Sequence, residues 1–151
     1  MELKSEFLCE LIGDMGESQV IGNGPRGVRR IATVIGGKIE GPKIKGELLP
    51  FGADWLVLRP DGAWELDVRI TIRTDDNELI YAYYRGVIDA SPEVWERRAN
   101  GEIVDPTEYY FRSTPVFETG SEKYKWLNKI ICVGVGQLLP GKVKYRVYQI
   151  L

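Results

Sequence analysis

Ala63 to Arg73 alternates without interruption, placing Trp64, Leu66, Val68, Ile70 and Ile72 on one side of the backbone and Glu65, Asp67, Arg69, Thr71 and Arg73 on the other. A period of two is a β-strand with one apolar and one polar face. The charged face meets bulk water in most sheets. Lining an enclosed hollow, the same residues would make a polar ligand site.

Short strand candidates surround this segment, separated by the turn signals Gly36-Gly37, Gly41-Pro42, Pro50-Phe51-Gly52, Pro60-Asp61-Gly62 and Asp75-Asp76-Asn77. Such spacing predicts antiparallel β structure. Strands are expected over 2–14, 28–35, 79–86, 108–119, 128–135 and 143–150, with 13–27 as a glycine-rich loop. Within that loop Gly22, Gly24 and Gly27 imitate a dinucleotide-binding fingerprint, but β-branched residues follow where the fingerprint requires a helix. One helix is expected over 92–100, with Ser91 as N-cap, Pro92 in its first turn and Gly101 beyond its end. A helical turn is expected over 121–126. The chain thus reads as a single domain, residues 1–151, mainly β. Its expected form is a closed antiparallel β-barrel with one short helix, because closure removes exposed strand edges. A sandwich is the alternative.

Composition narrows function mainly by exclusion. The chain has 20 basic and 22 acidic residues and no histidine. Imidazole catalysis and histidine metal sites are excluded, and without a basic patch nucleic acid is a poor partner. No segment has the length and apolarity of a membrane-spanning helix, and the N-terminus lacks a signal-like apolar run, so a cytoplasmic protein is expected. Cys9 and Cys132, in apolar surroundings, read as reduced core thiols. Trp64 and Trp95 read as core and helix contacts, and Asp75-Asp76-Asn77 as a hairpin turn without the ligand spacing of a calcium loop. No metal or cofactor is implied.

Several segments together resemble the uncharacterised protein family 0311, equivalently domain of unknown function 3237. They are Gly36-Gly-Lys-Ile-Glu-Gly-Pro42, Gly46-Glu-Leu-Leu-Pro-Phe-Gly-Ala-Asp-Trp55, Arg59-Pro-Asp-Gly62, Leu66-Asp-Val-Arg69, Arg73-Thr-Asp-Asp76, Tyr109-Tyr-Phe-Arg-Ser-Thr-Pro-Val-Phe-Glu-Thr-Gly120 and Tyr124-Lys-Trp-Leu-Asn128. The resemblance covers nearly the whole chain. It implies a closed antiparallel barrel of lipocalin-like (calycin-like) architecture and assigns no activity.

Three groups combine polar and aromatic residues at strand spacing: Asp54 with Trp55; Asp67 and Arg69 with Tyr81, Tyr83 and Arg85; and Tyr110, Arg112, Thr114 and Glu118 followed by Trp126 and Asn128. If they converge inward they form an aromatic cup with fixed charges, suited to a small aromatic or anionic ligand. Asp54, Asp67 and Glu118 are then the candidate acids and bases of a cofactor-independent isomerase, cyclase, hydratase or lyase acting on an aromatic or polyketide-like substrate. The arginines, Trp55, Tyr81, Tyr83, Tyr110, Trp126 and Asn128 are the candidate binding residues. A non-catalytic carrier or sensor would use the same cup. A structural subunit, a homo-oligomer included, would instead have a filled interior and pair through its outer face.

Overall fold

The alternation of 64–74 is realised as β6 (Trp64–Thr74), whose Leu66, Val68, Ile70 and Ile72 are buried while Arg69 and Arg73 stay exposed. A computed structural model describes all residues, 1–151. The chain is mainly β: eleven strands, one α-helix and two short 3-10 turns.

β1 (Ser5–Gly24) and β2 (Gly27–Glu40) form a long hairpin. Three short strands, β3 (Lys45–Leu48), β4 (Gly52–Asp54) and β5 (Val57–Leu58), each pair with both β2 and β6. β6 forms a hairpin with β7 (Leu79–Asp89), and β7 pairs in turn with β8 (Tyr110–Ser113) and β9 (Val116–Glu118). β8 pairs with β10 (Cys132–Leu139), β10 with β11 (Lys142–Ile150), and β11 with β1. Every pairing is antiparallel.

Three sequence expectations are corrected. The glycine-rich 13–27 segment is not a loop: the strand continues to Gly24, and its glycines serve register shifts, with Gly22 at φ 101°. A turn at Pro25-Arg26 then reverses the chain, so a strand and not a phosphate-binding helix follows. The expected strand over 108–119 is split at Thr114-Pro115, since proline has no N–H for a ladder. The last helical turn lies at Lys125–Lys129, after the expected 121–126, and β10 starts correspondingly later, at Cys132.

The helix α1 (Pro92–Ala99) forms as its caps dictate, the Val94 N–H donating to Ser91 Oγ at 3.3 Å. It buries Val94, and Trp95 meets Trp64 edge to face, centroids 6.5 Å apart. Asn77, at φ 65°, completes the tight turn between β6 and β7. Cys9 and Cys132 are free and buried, and burial pushes their thiols up to about 12 and about 11 respectively. No helix is long and apolar enough to cross a membrane.

The buried face of the sheet is filled. Aliphatic rows from β1, β2, β6, β7 and β11 meet an aromatic chain in which Tyr84 packs edge-on to Tyr145 and Tyr145 edge-on to Phe111, with centroids 5.3 and 5.2 Å apart. β10 makes room with glycine. A Cβ on Gly136 would stand 2.4 Å from the Phe111 ring, and one on Gly134 2.4 Å from Ser113 Oγ.

Candidate functional site

Register decides where each candidate side chain stands, because paired residues of an antiparallel ladder share a face. Asp67 pairs with Arg85 and Arg69 with Tyr83, both one residue out of step with the buried Val68 and Tyr84. The expectation that these residues line an interior hollow is therefore overturned. Asp67, Arg69, Tyr81, Tyr83 and Arg85 stand on the outer face, and so do Arg112, paired with Val87, and Glu118, paired with Tyr81. The inner positions they would need belong to the aliphatic and aromatic core.

Some members of these groups do meet, but outside. Arg69 lies over the Trp55 ring at 5.3 Å, Tyr81 stacks on Tyr83 at 5.3 Å, and Arg112 covers Tyr110 at 5.1 Å. Trp55 is held in place partly by its carbonyl, which accepts from Arg29 Nη1. Trp126 and Asn128 do not join. Trp126 packs against the core beneath the Lys43 ammonium, and Asn128 exchanges hydrogen bonds of 2.8 and 2.9 Å with the Thr119 backbone, which makes it a clamp for the turn after β9.

Between β7, β8 and β10 the outer face dips into an open recess of about 650 Å³, lined by Glu65, Arg85, Val87, Tyr110, Arg112 and Val133 together with Gly86, Ser113 and Thr114. Arg85 is 69% exposed and only loosely engaged, 4.0 Å from both Glu65 and Asp67. Glu65 is already taken by Arg26 at 2.9 Å, and Asp67 lies 3.5 Å from Arg69. Arg112 forms no ion pair and donates one hydrogen bond, to the Phe111 carbonyl at 2.9 Å. The recess thus offers two guanidinium groups with spare donors beside valine and tyrosine walls, a combination that accepts an anion attached to a flat apolar body.

Glu65, Val87 and Val133 were not among the candidates from sequence. The outward register of Arg85 implies Val87 two residues on, and the alternation of Val133 and Val135 with Gly134 and Gly136 carried the signal for β10.

Of the candidate acids and bases, Asp54 alone faces the core. It forms a cross-strand row with Val68 and Tyr84, and its Oδ1 accepts the Asp67 N–H at 3.0 Å. Only 7% exposed, its carboxyl is pushed up to about 7. Desolvation is the main cause, reinforced by the Asp67 charge and opposed by that hydrogen bond and by Arg29. Burial also raises the Tyr84 and Tyr145 hydroxyls well above the usual tyrosine range.

Comparison with known proteins agrees with this architecture. Residues 3–150 match a family described as a protein of unknown function, DUF3237. A UPF0311 protein of Clostridium acetobutylicum is 39% identical over 136 residues, covering 90% of this chain and 83% of the relative. A conserved protein of unknown function from Rhodopseudomonas palustris superposes with a TM-score of 0.94 at 34% identity, covering 100% of this chain and 99% of that one. A protein from Acinetobacter baumannii described as beta-barrel like gives 0.87 at 36% identity, with 100% and 98% covered. An enzyme from Penicillium herquei shares the fold at a TM-score of 0.74 and 23% identity, covering 100% of this chain and 96% of that one. The chain belongs to the DUF3237 family, whose curated members carry the name UPF0311.

Proposed function

We propose that the pairings form a closed, lipocalin-like barrel and that the protein binds a small aromatic anion in the recess on its outer wall. The circuit from β1 through β2, β3–β5, β6, β7, β8, β10 and β11 back to β1 supports closure. One observation carries the ligand reading: Arg85, loosely held and mostly exposed, stands in an apolar-walled recess with Arg112 on its rim. A carboxylate or phenolate on Arg85 would rest its ring against Val87, Val133 and Tyr110. A hydrogen bond to a charged group contributes about 1.5–3 kcal/mol. In calorimetric titrations with 4-hydroxybenzoate at neutral pH, wild type is therefore expected to bind saturably, and Arg85→Ala to bind at least tenfold more weakly. Equal affinity for the two proteins would remove Arg85 as the anchor, and no binding by wild type would remove the ligand class.

A second reading is a cofactor-independent isomerase, cyclase, hydratase or lyase acting on an aromatic or polyketide-like compound. Asp54 favours it: a carboxyl pushed up to about 7 exchanges its proton in the range where general acid–base catalysis is efficient. Asp67, directly above Asp54 on the outer face, and Glu118 are the accessible carboxylates. The protein from Penicillium herquei that shares the fold is described as an enzyme, which lends this reading support by analogy of fold alone.

A further inference from the structure

β10 has its chemistry inside out. Gly134 and Gly136 face the core because Ser113 and Phe111 occupy the space a side chain would need, and this turns Ile131, Val133 and Val135 outward. Ile131 is 73% exposed. The apolar stripe continues through Val87 to the exposed Tyr83, Val116 and Tyr110, and Arg69, Arg85 and Arg112 lie among these residues. Tyrosine, tryptophan and arginine around an apolar centre are the composition of subunit interfaces.

The charges on this face complement each other. Arg112 and Glu118 each lack an ionic partner within the chain, although both stand on the outer face. Against β7, Arg112 is level with Val87 and Glu118 with Tyr81, six residues apart. At about 3.3 Å per residue that is roughly 20 Å. The midpoint is the level of Tyr84, flanked on the outer side by Tyr83 and Arg85. A two-fold axis through that point exchanges the two ends and sets each unpaired cation over an unpaired anion of the other copy. The face approaches the size of a subunit interface. The 11 residues of β6, at about 3.3 Å each, and four neighbouring strands, at about 4.8 Å spacing, span on the order of 700 Å² before side-chain relief. A standard interface takes about 800 Å² per partner.

We propose that this outer face joins two copies of the chain in a two-fold dimer, with Arg112 of each copy paired to the partner's Glu118. The guanidinium has donors for both the Phe111 carbonyl and the partner's Glu118, which leaves Arg85 free at the axis. The open recess then becomes a chamber walled by both copies, closer to the enclosure of known small-molecule sites. The dimer does not depend on the ligand reading, because it rests on the face alone.

Light scattering after size exclusion, with circular dichroism to confirm folding, tests the proposal. Wild type is expected at twice the 17.1 kDa chain mass. Arg112→Glu and Glu118→Arg are each expected to raise the dissociation constant at least tenfold, and the double reversal to return it to within a fewfold of wild type. A monomeric wild type, single reversals that leave the dimer intact, or a double reversal that fails to restore it would overturn the proposal. Saturable binding of 4-hydroxybenzoate by a monomeric wild type would remove the dimer and leave the ligand reading standing.

Discussion

Asp54→Asn is expected to make the protein more stable at pH 8, by up to about 4 kcal/mol, while changing little at pH 4. The folded-state value of about 7 lies above the ordinary 3.8, so between those limits the folded protein holds a proton that the unfolded chain has released. Stability contributed by the protonated form is complete below about pH 4, falls as pH rises, and is fully lost above about 7. The difference of roughly three units, at about 1.4 kcal/mol each, sets the size. Asparagine cannot ionise, and its Oδ1 can still accept the Asp67 N–H. Urea unfolding of both proteins at pH 4, 6 and 8 should show the variant's advantage growing with pH. Equal or lower stability of the variant at pH 8 would mean that the Asp67 N–H and Arg29 hold Asp54 ionised. On the catalytic reading proposed above, the same variant would also lose turnover, because asparagine cannot exchange the proton.

Phe111→Ala is expected to destabilise by about 3–5 kcal/mol, the range for emptying an aromatic site in a close-packed core. Phe111 is among the most completely buried side chains, lies directly over Gly136 and supports Tyr145 edge-on. Its ring fills the space that Gly136 of β10 leaves open. Denaturation midpoints at constant slope measure the loss, and a value below about 1.5 kcal/mol would show that the interior is loosely filled. In that case the core-facing side of the sheet would again be a candidate site.

The two-sided alternation of β6 was legible because a period of two needs no knowledge of neighbouring strands. It separated Leu66, Val68, Ile70 and Ile72 from Asp67, Arg69 and Arg73 as the fold does. What it could not give was the occupancy of the interior. That depends on Tyr84, Tyr145 and Phe111 meeting from three strands far apart in sequence, and they leave no interior place for arginines. The partition of Tyr83 from Tyr84 and of Tyr109 from Tyr110 followed from the pleat alone, with Tyr84 and Tyr109 buried and the other two outside. Local sequence cannot reveal why Gly134 and Gly136 stand in β10, because Ser113 and the Phe111 ring press on them from another strand. The β1 glycines suggested a loop for a similar reason, since bulges and loops use the same residues. Asp54 was visible as a carboxyl beside a tryptophan, but its inward direction came only from its pairing with Val68.

The proposed ligand surface is the outer face of the sheet around Arg85, not its core-facing side. Backbone amide shifts of the isotope-labelled protein, followed by NMR during titration with 4-hydroxybenzoate, test that placement most directly. Saturating shifts clustered on Arg85, Val87, Arg112, Thr114 and Val133 are the predicted result. Shifts concentrated on Asp54, Tyr84 and Tyr145, with the outer recess unmoved, would contradict it.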